Sequence, residues 1–361
     1  MKYIFIVQGE GRGHLTQAIA MYNLLKSNGD EVVETLVGKN RQVELPAFFF
    51  EKMQPCPIAT FESPHFLFSS RSKKSLFWKS IAYSLLRLPA YLKSIAFINR
   101  RIAAGSAETV INFYEILTGL TYAFCRPQKP CVCVAHQYLF LHSGFAFPPK
   151  SRLKIAALLL FTRLTAVSAR RLLALSFREM PDEGKIHVIP PLLRKEALQQ
   201  AVQQAVRSEG YILGYLLNAD LAEEVTAWHR QHPDIPLHFF WSKKGAPSEL
   251  KVDENLVFHQ LDDVAFLNQM ARCSAYAATG GFESICEAMY LQKPALMVPM
   301  HIEQECNAFD AMRAGAGVAS PAFDLTKLVA YLPTYLPNAD FSAWVGQASR
   351  RVAEALAFSA Q

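Results

Sequence analysis

A glycine turn and the polar residues that follow it, within residues 279–307, give the strongest chemical signal in this sequence. The turn Thr279-Gly280-Gly281 precedes a predicted short helix, whose unpaired N–H groups and partial positive charge suit a diphosphate. Glu287, later in that helix, can accept hydrogen bonds from ribose hydroxyls, and Glu303-Gln304 can hold a sugar. These residue types in this order favour a nucleotide-sugar site. An ordinary β-α-β unit with a glycine cap is the alternative interpretation.

A second glycine-rich loop, Gly9-Glu10-Gly11-Arg12-Gly13-His14, follows the first predicted strand and opens a helix. Its G-x-G-x-G spacing differs from the G-x-G-x-x-G of dinucleotide-binding proteins, and the second predicted strand ends without an acidic residue for a ribose. Both differences disfavour an NAD-dependent oxidoreductase. The loop does place His14 at a helix start, where a neutral imidazole can remove a proton from an acceptor hydroxyl. A histidine that caps or packs locally is the alternative.

Short apolar runs alternate with helical periodicity along the chain, which predicts parallel β-α-β units. We expect one domain over residues 1–195 and a second over 208–340, with Pro190-Pro191 at the start of their connection. A strand is predicted at 164–166, and a final helix within 341–361. Ligands of doubly wound domains bind in the crevice at the carboxyl ends of the strands.

Length and composition place the chain among globular proteins. Its 361 residues are enough for roughly two domains. The N-terminal apolar run is too short for a signal peptide. The 7 cysteines show no metal-ligand spacing, which favours reduced cysteines in a cytoplasmic protein. Neither an Asp-x-Asp motif nor a zinc-ligand spacing occurs, so no metal is expected.

Charge is divided unequally along the chain. Residues 1–195 contain 26 basic and 12 acidic side chains, and residues 196–361 contain 11 basic and 19 acidic ones. Basic residues alternate with apolar ones over 71–101 and 150–171, which predicts amphipathic surfaces that can rest on an anionic membrane. Helices packed on their own sheet with solvated lysines are the alternative. The chain lacks nucleic-acid-binding motifs, so we expect no nucleic acid as a partner.

The two glycine-rich segments together resemble the GT-B glycosyltransferases, particularly the MurG and UDP-glycosyltransferase branch. The resemblance implies a GT-B fold, with two Rossmann-like doubly wound domains facing each other across a cleft. It implies that the first domain binds the acceptor, the second binds the nucleotide sugar, and the C-terminal helix returns to the first domain. Gly11, Arg12 and Gly13 are similar to the family's acceptor-side loop, whose histidine, here His14, is the proposed general base.

The donor site implied by the resemblance lies in the second domain. Leu261, in Leu261-Asp262-Asp263, is expected beside the uracil. Thr279, Gly280, Gly281 and Ser284 are similar to the family's diphosphate turn, Glu287 to its ribose-binding glutamate, and Glu303 with Gln304 to its donor-sugar residues.

Some positions depart from the family pattern. Glu283 stands where the family carries an asparagine near the phosphates, so we expect its side chain to turn outward or to pair with a cation. No aspartate is evident to support His14; Glu115, after the strand at 109–113, is the candidate. His136 either lines the acceptor side or is a structural loop histidine.

By resemblance, the protein transfers a hexose or N-acetylhexosamine from a UDP-sugar to a hydroxyl, with inversion and without a metal. The UDP-sugar is a co-substrate and no cofactor is expected; the acceptor is a lipid, a glycan or a small molecule. The expected location is cytoplasmic or peripheral on the inner face of the cell membrane. A UDP-sugar 2-epimerase of the same fold, which needs carboxylates at the sugar ring, and a non-catalytic sugar-nucleotide-binding protein are the alternatives.

Overall fold

The computed structural model describes residues 1–41, 44–64, 84, 86–149, 152–203 and 208–357, and only the backbone of 201–203. The first half of the chain forms a seven-stranded sheet of strand order β3-β2-β1-β4-β5-β6-β7, and every neighbouring pair is parallel. Its strands are β1 (Lys2–Gln8), β2 (Glu31–Lys39), β3 (Ile58–Glu62), β4 (Thr109–Phe113), β5 (Cys131–Ala135), β6 (Arg171–Leu175) and β7 (Ile186–Ile189).

Helices cover this sheet because its central strands are apolar on both faces. Every residue of β4 and of β5 is buried, as expected for parallel strands with helices on each side. The helices are α1 (Gly13–Ser27), α2 (Ala47–Lys52), α3 (Leu88–Ala104), α4 (Ile116–Phe124) and α5 (Arg152–Thr165). The strand predicted at 164–166 is wrong: α5 continues to Thr165, and the strand begins at Arg171.

The second half forms another seven-stranded sheet, of order β10-β11-β9-β8-β12-β13-β14, in which only β10 runs antiparallel to its neighbour. Its strands are β8 (Ile212–Leu216), β9 (Leu237–Trp241), β10 (Glu249–Lys251), β11 (Leu256–Gln260), β12 (Ala275–Ala278), β13 (Ala295–Met297) and β14 (Gly317–Ala319). Its helices are α6 (Lys195–Gln203), α7 (Ala222–His229), α8 (Asp263–Arg272), α9 (Phe282–Tyr290), α10 (Ile302–Arg313) and α11 (Thr326–Tyr331).

The strand order reverses once in each sheet, between β1 and β4 and between β8 and β12. Ligands of doubly wound sheets bind beyond the carboxyl ends of the strands at this reversal. The loop that contains His14 follows β1, and the turn that begins at Thr279 follows β12. The topology therefore places both glycine-rich segments at ligand-binding positions, as the predicted pair of Rossmann-like domains requires.

The last two helices contact the first domain, and the first of them also packs on α9 of the second half. They are α12 (Ala339–Val345) and α13 (Ala348–Leu356), separated near Gly346, and the predicted residues 358–361 lie outside the described part. Trp344 Nε1 donates to the carbonyl oxygen of Ser176 at 2.9 Å, and Arg171 Nη1 donates to that of Ala355 at 2.6 Å. These contacts fasten the C-terminal segment to the first domain.

A buried apolar cluster joins the two sheets. It contains Val7 and Phe113 from the first sheet together with Ile285 and Met289 of α9. Burial of such side chains away from water is worth about 25 cal/mol per Å² of apolar surface. The facing surfaces of the two domains are therefore packed together.

Candidate functional site

The turn after β12 is built around two glycines that have different surroundings. A Cβ at Gly280 would lie 2.7 Å from the carbonyl oxygen of Gln304, so this residue is a glycine because α10 packs directly on it. Nothing lies within 4 Å of a Cβ at Gly281, which is the N-cap of α9. Asn307 Nδ2 donates to the Gly280 carbonyl at 3.2 Å and fixes the turn. Space for close approach of a ligand therefore exists at Gly281 and not at Gly280.

The first residue of α9 is inserted into the first domain. The Phe282 ring stacks on His136 with centroids 4.0 Å apart and contacts Phe177 at 4.6 Å. His136 is completely buried, and its Nδ1 donates to the Leu175 carbonyl at 2.7 Å. Burial lowers the pKa of His136, which keeps the ring neutral. His136 thus packs beneath α9 as a structural loop histidine, which is the second of the two interpretations of this residue.

His14 is the second residue of α1, and its ring is held by two neighbours. It stacks on Tyr114 with centroids 5.4 Å apart, and its Nδ1 lies 3.2 Å from Gln17 Oε1. An amide oxygen only accepts hydrogen bonds, so this contact places the proton on Nδ1 and leaves Nε2 as the basic nitrogen. Burial lowers the pKa of His14, and the charge of Glu303 opposes that shift. A neutral imidazole with a basic Nε2 suits a general base.

The support for His14 comes from the opposite domain. Gln17 Nε2 donates to Glu283 Oε1 across the cleft, which fixes the amide so that its oxygen faces His14. Glu283 Oε2 lies 2.5 Å from where a Cβ at Gly13 would be, so the carboxyl group covers the start of α1. The expectation that Glu283 turns outward or pairs with a cation is therefore wrong. Burial raises the pKa of Glu283 to about 7.

Glu115 does not support His14. It is completely buried and caps α4: its Oε1 accepts from Leu117 N at 3.0 Å and from Ser63 Oγ at 2.6 Å. Burial raises the pKa of Glu115 to about 7. The residue of this loop that reaches His14 is Tyr114, which has a left-handed backbone with φ of 60°. The prediction for Glu115 is wrong because its side chain turns back to the start of its own helix.

The predicted ribose glutamate already has a partner. Both oxygens of Glu287 accept from Arg194, from Nε and from Nη2, each at 2.6 Å. Arg194 Nη1 also lies 3.4 Å from Asp263 Oδ1, and Asp263 accepts from Arg12 Nη2 at 2.6 Å on each oxygen. Asp262, next to it, caps α8. Arg194, which follows Pro190-Pro191 in the connection between the domains, was not predicted to belong to this cluster.

Of the two predicted sugar residues, Glu303 faces the first domain and Gln304 does not. Glu303 Oε1 accepts from Gln137 Nε2 at 2.8 Å, so Glu303 lies at the cleft. Gln304 is buried, and its Oε1 accepts from Met300 N at 2.8 Å, which makes it part of the turn before α10. Ser284 lies partly exposed on α9, and Leu261 N donates to the Trp241 carbonyl at 2.9 Å.

One pattern unites these contacts: the first domain donates and the second accepts through a carboxylate. Four such pairs are Arg12–Asp263, Gln17–Glu283, Gln137–Glu303 and Arg178–Asp310. In each of them a side chain of the first half of the chain donates to a carboxylate of the second half. Within the described ranges, no cluster of three His, Cys, Asp or Glu side chains is arranged to hold a metal ion.

Comparison with known proteins agrees with this architecture. A model described as Glycosyl transferase family 1 matches residues 1–336, and the chain belongs to this family. No curated protein sequence matches it.

Several solved structures have the same fold. Phytolacca americana UGT2, complexed with UDP-2fluoro-glucose and pterostilbene, superposes with a TM-score of 0.60 at 11% identity, over 98% of this chain and 93% of that one. Acinetobacter baumannii MurG superposes with a TM-score of 0.53 at 14% identity, over 98% of this chain and 99% of that one. Neisseria meningitidis UDP-GlcNAc 2-epimerase, bound to UDP-GlcNAc, superposes with a TM-score of 0.56 at 14% identity, over 99% of both chains. These likenesses establish the GT-B fold.

The raised pKa of Glu283 predicts a pH dependence of stability. The unfolded carboxyl titrates near ~4.3, so between that pH and about 7 the folded protein binds more protons than the unfolded chain. The free energy of unfolding should therefore fall as pH rises through this window and level off above it. Glu283→Gln should reduce the slope by at most about 1.4 kcal/mol per pH unit.

Urea unfolding of both proteins at several pH values between 4.5 and 7.5 measures this difference. Glu223→Gln, at an exposed position on α7, is the matched control and should leave the slope unchanged. Equal slopes for Glu283→Gln and the wild type would contradict the assigned pKa.

Proposed function

We propose that this glycosyltransferase transfers a hexose or N-acetylhexosamine from a UDP-sugar to an acceptor hydroxyl, with inversion and without a metal ion. The observation that carries the proposal is the position of His14. His14 lies where the strand order of the first sheet reverses, and its Nε2 is the basic nitrogen. Gln17, which contacts His14 Nδ1, donates in turn to Glu283 in the first turn of α9. A base and a helix N-terminus thus meet at one place.

The donor binds to the second domain in this proposal. The N–H groups that begin α9, with Thr279, Gly281 and Ser284, hold the diphosphate through their donors and the positive end of the helix dipole. Leu261 lies beside the uracil, Glu287 with Arg194 beside the ribose, and Glu303 with Gln304 beside the sugar. Structures of the same fold bound to UDP-2fluoro-glucose and to UDP-GlcNAc support this class of donor.

The reaction is a single displacement. The acceptor hydroxyl gives its proton to His14 Nε2 as its oxygen attacks the anomeric carbon, and the bond from that carbon to the UDP oxygen breaks. The leaving diphosphate is stabilised by the amide groups at the start of α9, which are oriented before the reaction begins. Because side chains of both domains meet across the cleft, the domains separate for the donor to enter and close again around it.

A UDP-sugar 2-epimerase is the second candidate, and one observation favours it. Such an enzyme needs carboxylates at the sugar ring, and the structure brings Glu283 and Glu303 into the cleft near His14. Transfer is preferred because the family is one of glycosyl transferases. The two reactions differ in the requirement for an acceptor, and a non-catalytic protein would carry out neither.

The His14 assignment predicts a separation of binding from turnover. His14→Ala should lower UDP release from a UDP-sugar by at least ~10²-fold, the usual contribution of a general base, and leave UDP affinity within about two-fold. His232→Ala is the matched control. His232 stacks on Trp228 just before β9, at the amino-terminal ends of the strands and therefore away from the proposed site.

Coupled assay of UDP release, calorimetry with UDP and chromatography of the sugar nucleotides provide the three readouts. Full turnover in His14→Ala would remove the proposed base. Formation of an epimer from UDP-GlcNAc without acceptor would establish the second candidate, and UDP binding without any turnover would establish a binding protein.

The partner surface we propose for the first domain is an anionic membrane. Leucines are exposed on α3 and α5, at 56% for Leu92, 80% for Leu153 and 58% for Leu160. Exposed Lys154 and Arg163 accompany them on α5. Apolar side chains with cations beside them suit the interface of an anionic bilayer. Residues 71–83, 85, 150 and 151 of the predicted surface lie outside the described part. No helix among the described residues is long and apolar enough to cross a membrane.

Vesicle flotation tests this surface. The protein should float with phosphatidylglycerol vesicles and remain at the bottom with phosphatidylcholine vesicles. Leu153→Ser combined with Leu160→Ser should reduce flotation several-fold, whereas Leu336→Ser should not, since Leu336 is 82% exposed but lies in the second half of the chain. Equal flotation of both variants would exclude this surface.

A further inference from the structure

A cluster of four charged side chains connects the two domains beside the candidate donor site. Arg12 donates from Nη2 to both oxygens of Asp263, and Arg194 bridges Asp263 and Glu287. The cluster contains two cations and two anions and is neutral as a whole. Its members come from the loop after β1, the linker, the start of α8 and the middle of α9.

The position of the cluster coincides with the path of a nucleoside diphosphate. Asp263 follows the segment proposed for the base, and Glu287 is the residue proposed for the ribose. Gly13, the neighbour of Arg12, lies against Glu283 in the first turn of α9. A diphosphate that runs from the ribose to the start of α9 therefore passes beside the loop that carries Arg12.

Only one of the two arginines can change partner easily. Arg194 is 11% exposed and uses all three nitrogens of its fork on Glu287 and Asp263. Arg12 is 33% exposed and makes its contacts to Asp263 from Nη2 alone. Its loop contains Gly11, which has a φ of 75° and nothing within 4 Å of a Cβ. Arg12 thus uses one of its three guanidinium nitrogens on Asp263, and its guanidinium carbon also lies 4.3 Å from the centroid of the Phe48 ring.

A nucleotide sugar brings negative charge to a region lined by carboxylates, which favours a cation beside its diphosphate. Asp263, Glu283, Glu287 and Glu303 already surround the region, and a diphosphate adds further negative charge. Guanidinium groups bind phosphate oxygens through two parallel, charge-assisted hydrogen bonds. An Arg12 that stayed on Asp263 would leave the diphosphate without this cation.

We propose that Arg12 exchanges partners on donor binding, from Asp263 in the free protein to the diphosphate of the nucleotide sugar. Asp263 then competes with the diphosphate for Arg12. Arg12, which was predicted on the acceptor side, is in this proposal a residue that binds the nucleotide sugar. This inference rests on the proposed function, since it takes a nucleoside diphosphate as the ligand.

The test compares UDP with uridine, which lacks the phosphates. Calorimetry gives the ratio of UDP affinity to uridine affinity for the wild type and for each variant. Arg12→Ala should lower this ratio about ten-fold or more, because ten-fold corresponds to ~1.4 kcal/mol, the size of one charge-assisted contact. Asp263→Asn should raise the ratio about three-fold or more, because Arg12 is released from its competitor.

Arg350→Ala is the matched control, since Arg350 is 62% exposed on α13, and it should leave the ratio unchanged. A purely structural role for the pair predicts that both variants change the affinities for UDP and uridine in parallel, and that result would overturn the inference. Should Arg12→Ala not fold, Asp263→Asn alone decides, because only partner exchange raises the ratio.

Failure of the proposed function has a different signature. A wild-type protein that binds no UDP would contradict the donor class, and the inference would fall with it. A wild-type protein that binds UDP, with Arg12→Ala showing an unchanged ratio, would contradict the inference alone.

Discussion

The two domains meet through donors on one side and carboxylates on the other, and the geometry of the whole site depends on this pairing. An enclosed carboxylate without a partner costs several kcal/mol, so each bridge penalises any displacement of one sheet relative to the other. The Gln17–Glu283 and Gln137–Glu303 contacts hold α1 close to α9 and α10. Phe282, lodged against His136, adds an apolar contact at the same place. These contacts bring the first turn of α1, which contains His14, next to the first turn of α9.

The same pairing explains how an acidic cleft can accept an anionic ligand. Glu283 has a pKa of about 7, so near neutral pH a large fraction of this carboxyl group carries no charge. Glu287 is neutralised by Arg194, and Asp263 by Arg12. The negative charge of the second domain is therefore largely compensated at the site. Part of this compensation comes from side chains of the first domain and is lost when the domains move apart. Donor binding and domain closure are linked through these groups.

The sequence was a good guide to the fold and a poorer guide to contacts between the domains. Alternating apolar runs predict the doubly wound sheets because the pattern of each strand lies within a few consecutive residues. The same is true of the helix that follows a glycine turn. The segment at 164–166 misled because an apolar, β-branched run also suits the buried end of a helix. Glu115 misled because a carboxylate after a strand can cap the next helix as readily as it can orient a histidine.

The missed residues are those whose roles require both domains. The sequence around Gln17 shows only a helical residue. Its role depends on Glu283, which is far away in sequence and accepts a hydrogen bond from its amide. Arg194 reads as part of a linker, and nothing local indicates that its fork lies on Glu287. The unequal division of charge between the two halves does not identify these residues, because Gln17 and Gln137 are neutral.

The distance between the domains in the ligand-free protein tests the central claim most directly. Cys125 is exposed and the other cysteines are buried, so a spin label can be placed on Cys125 and a second on Glu223→Cys in α7. Pulsed electron spin resonance should then show one narrow distance distribution at the separation found in the structure. A broad distribution, or a main population at longer distances near neutral pH, would contradict the claim that pairing across the cleft holds the domains together.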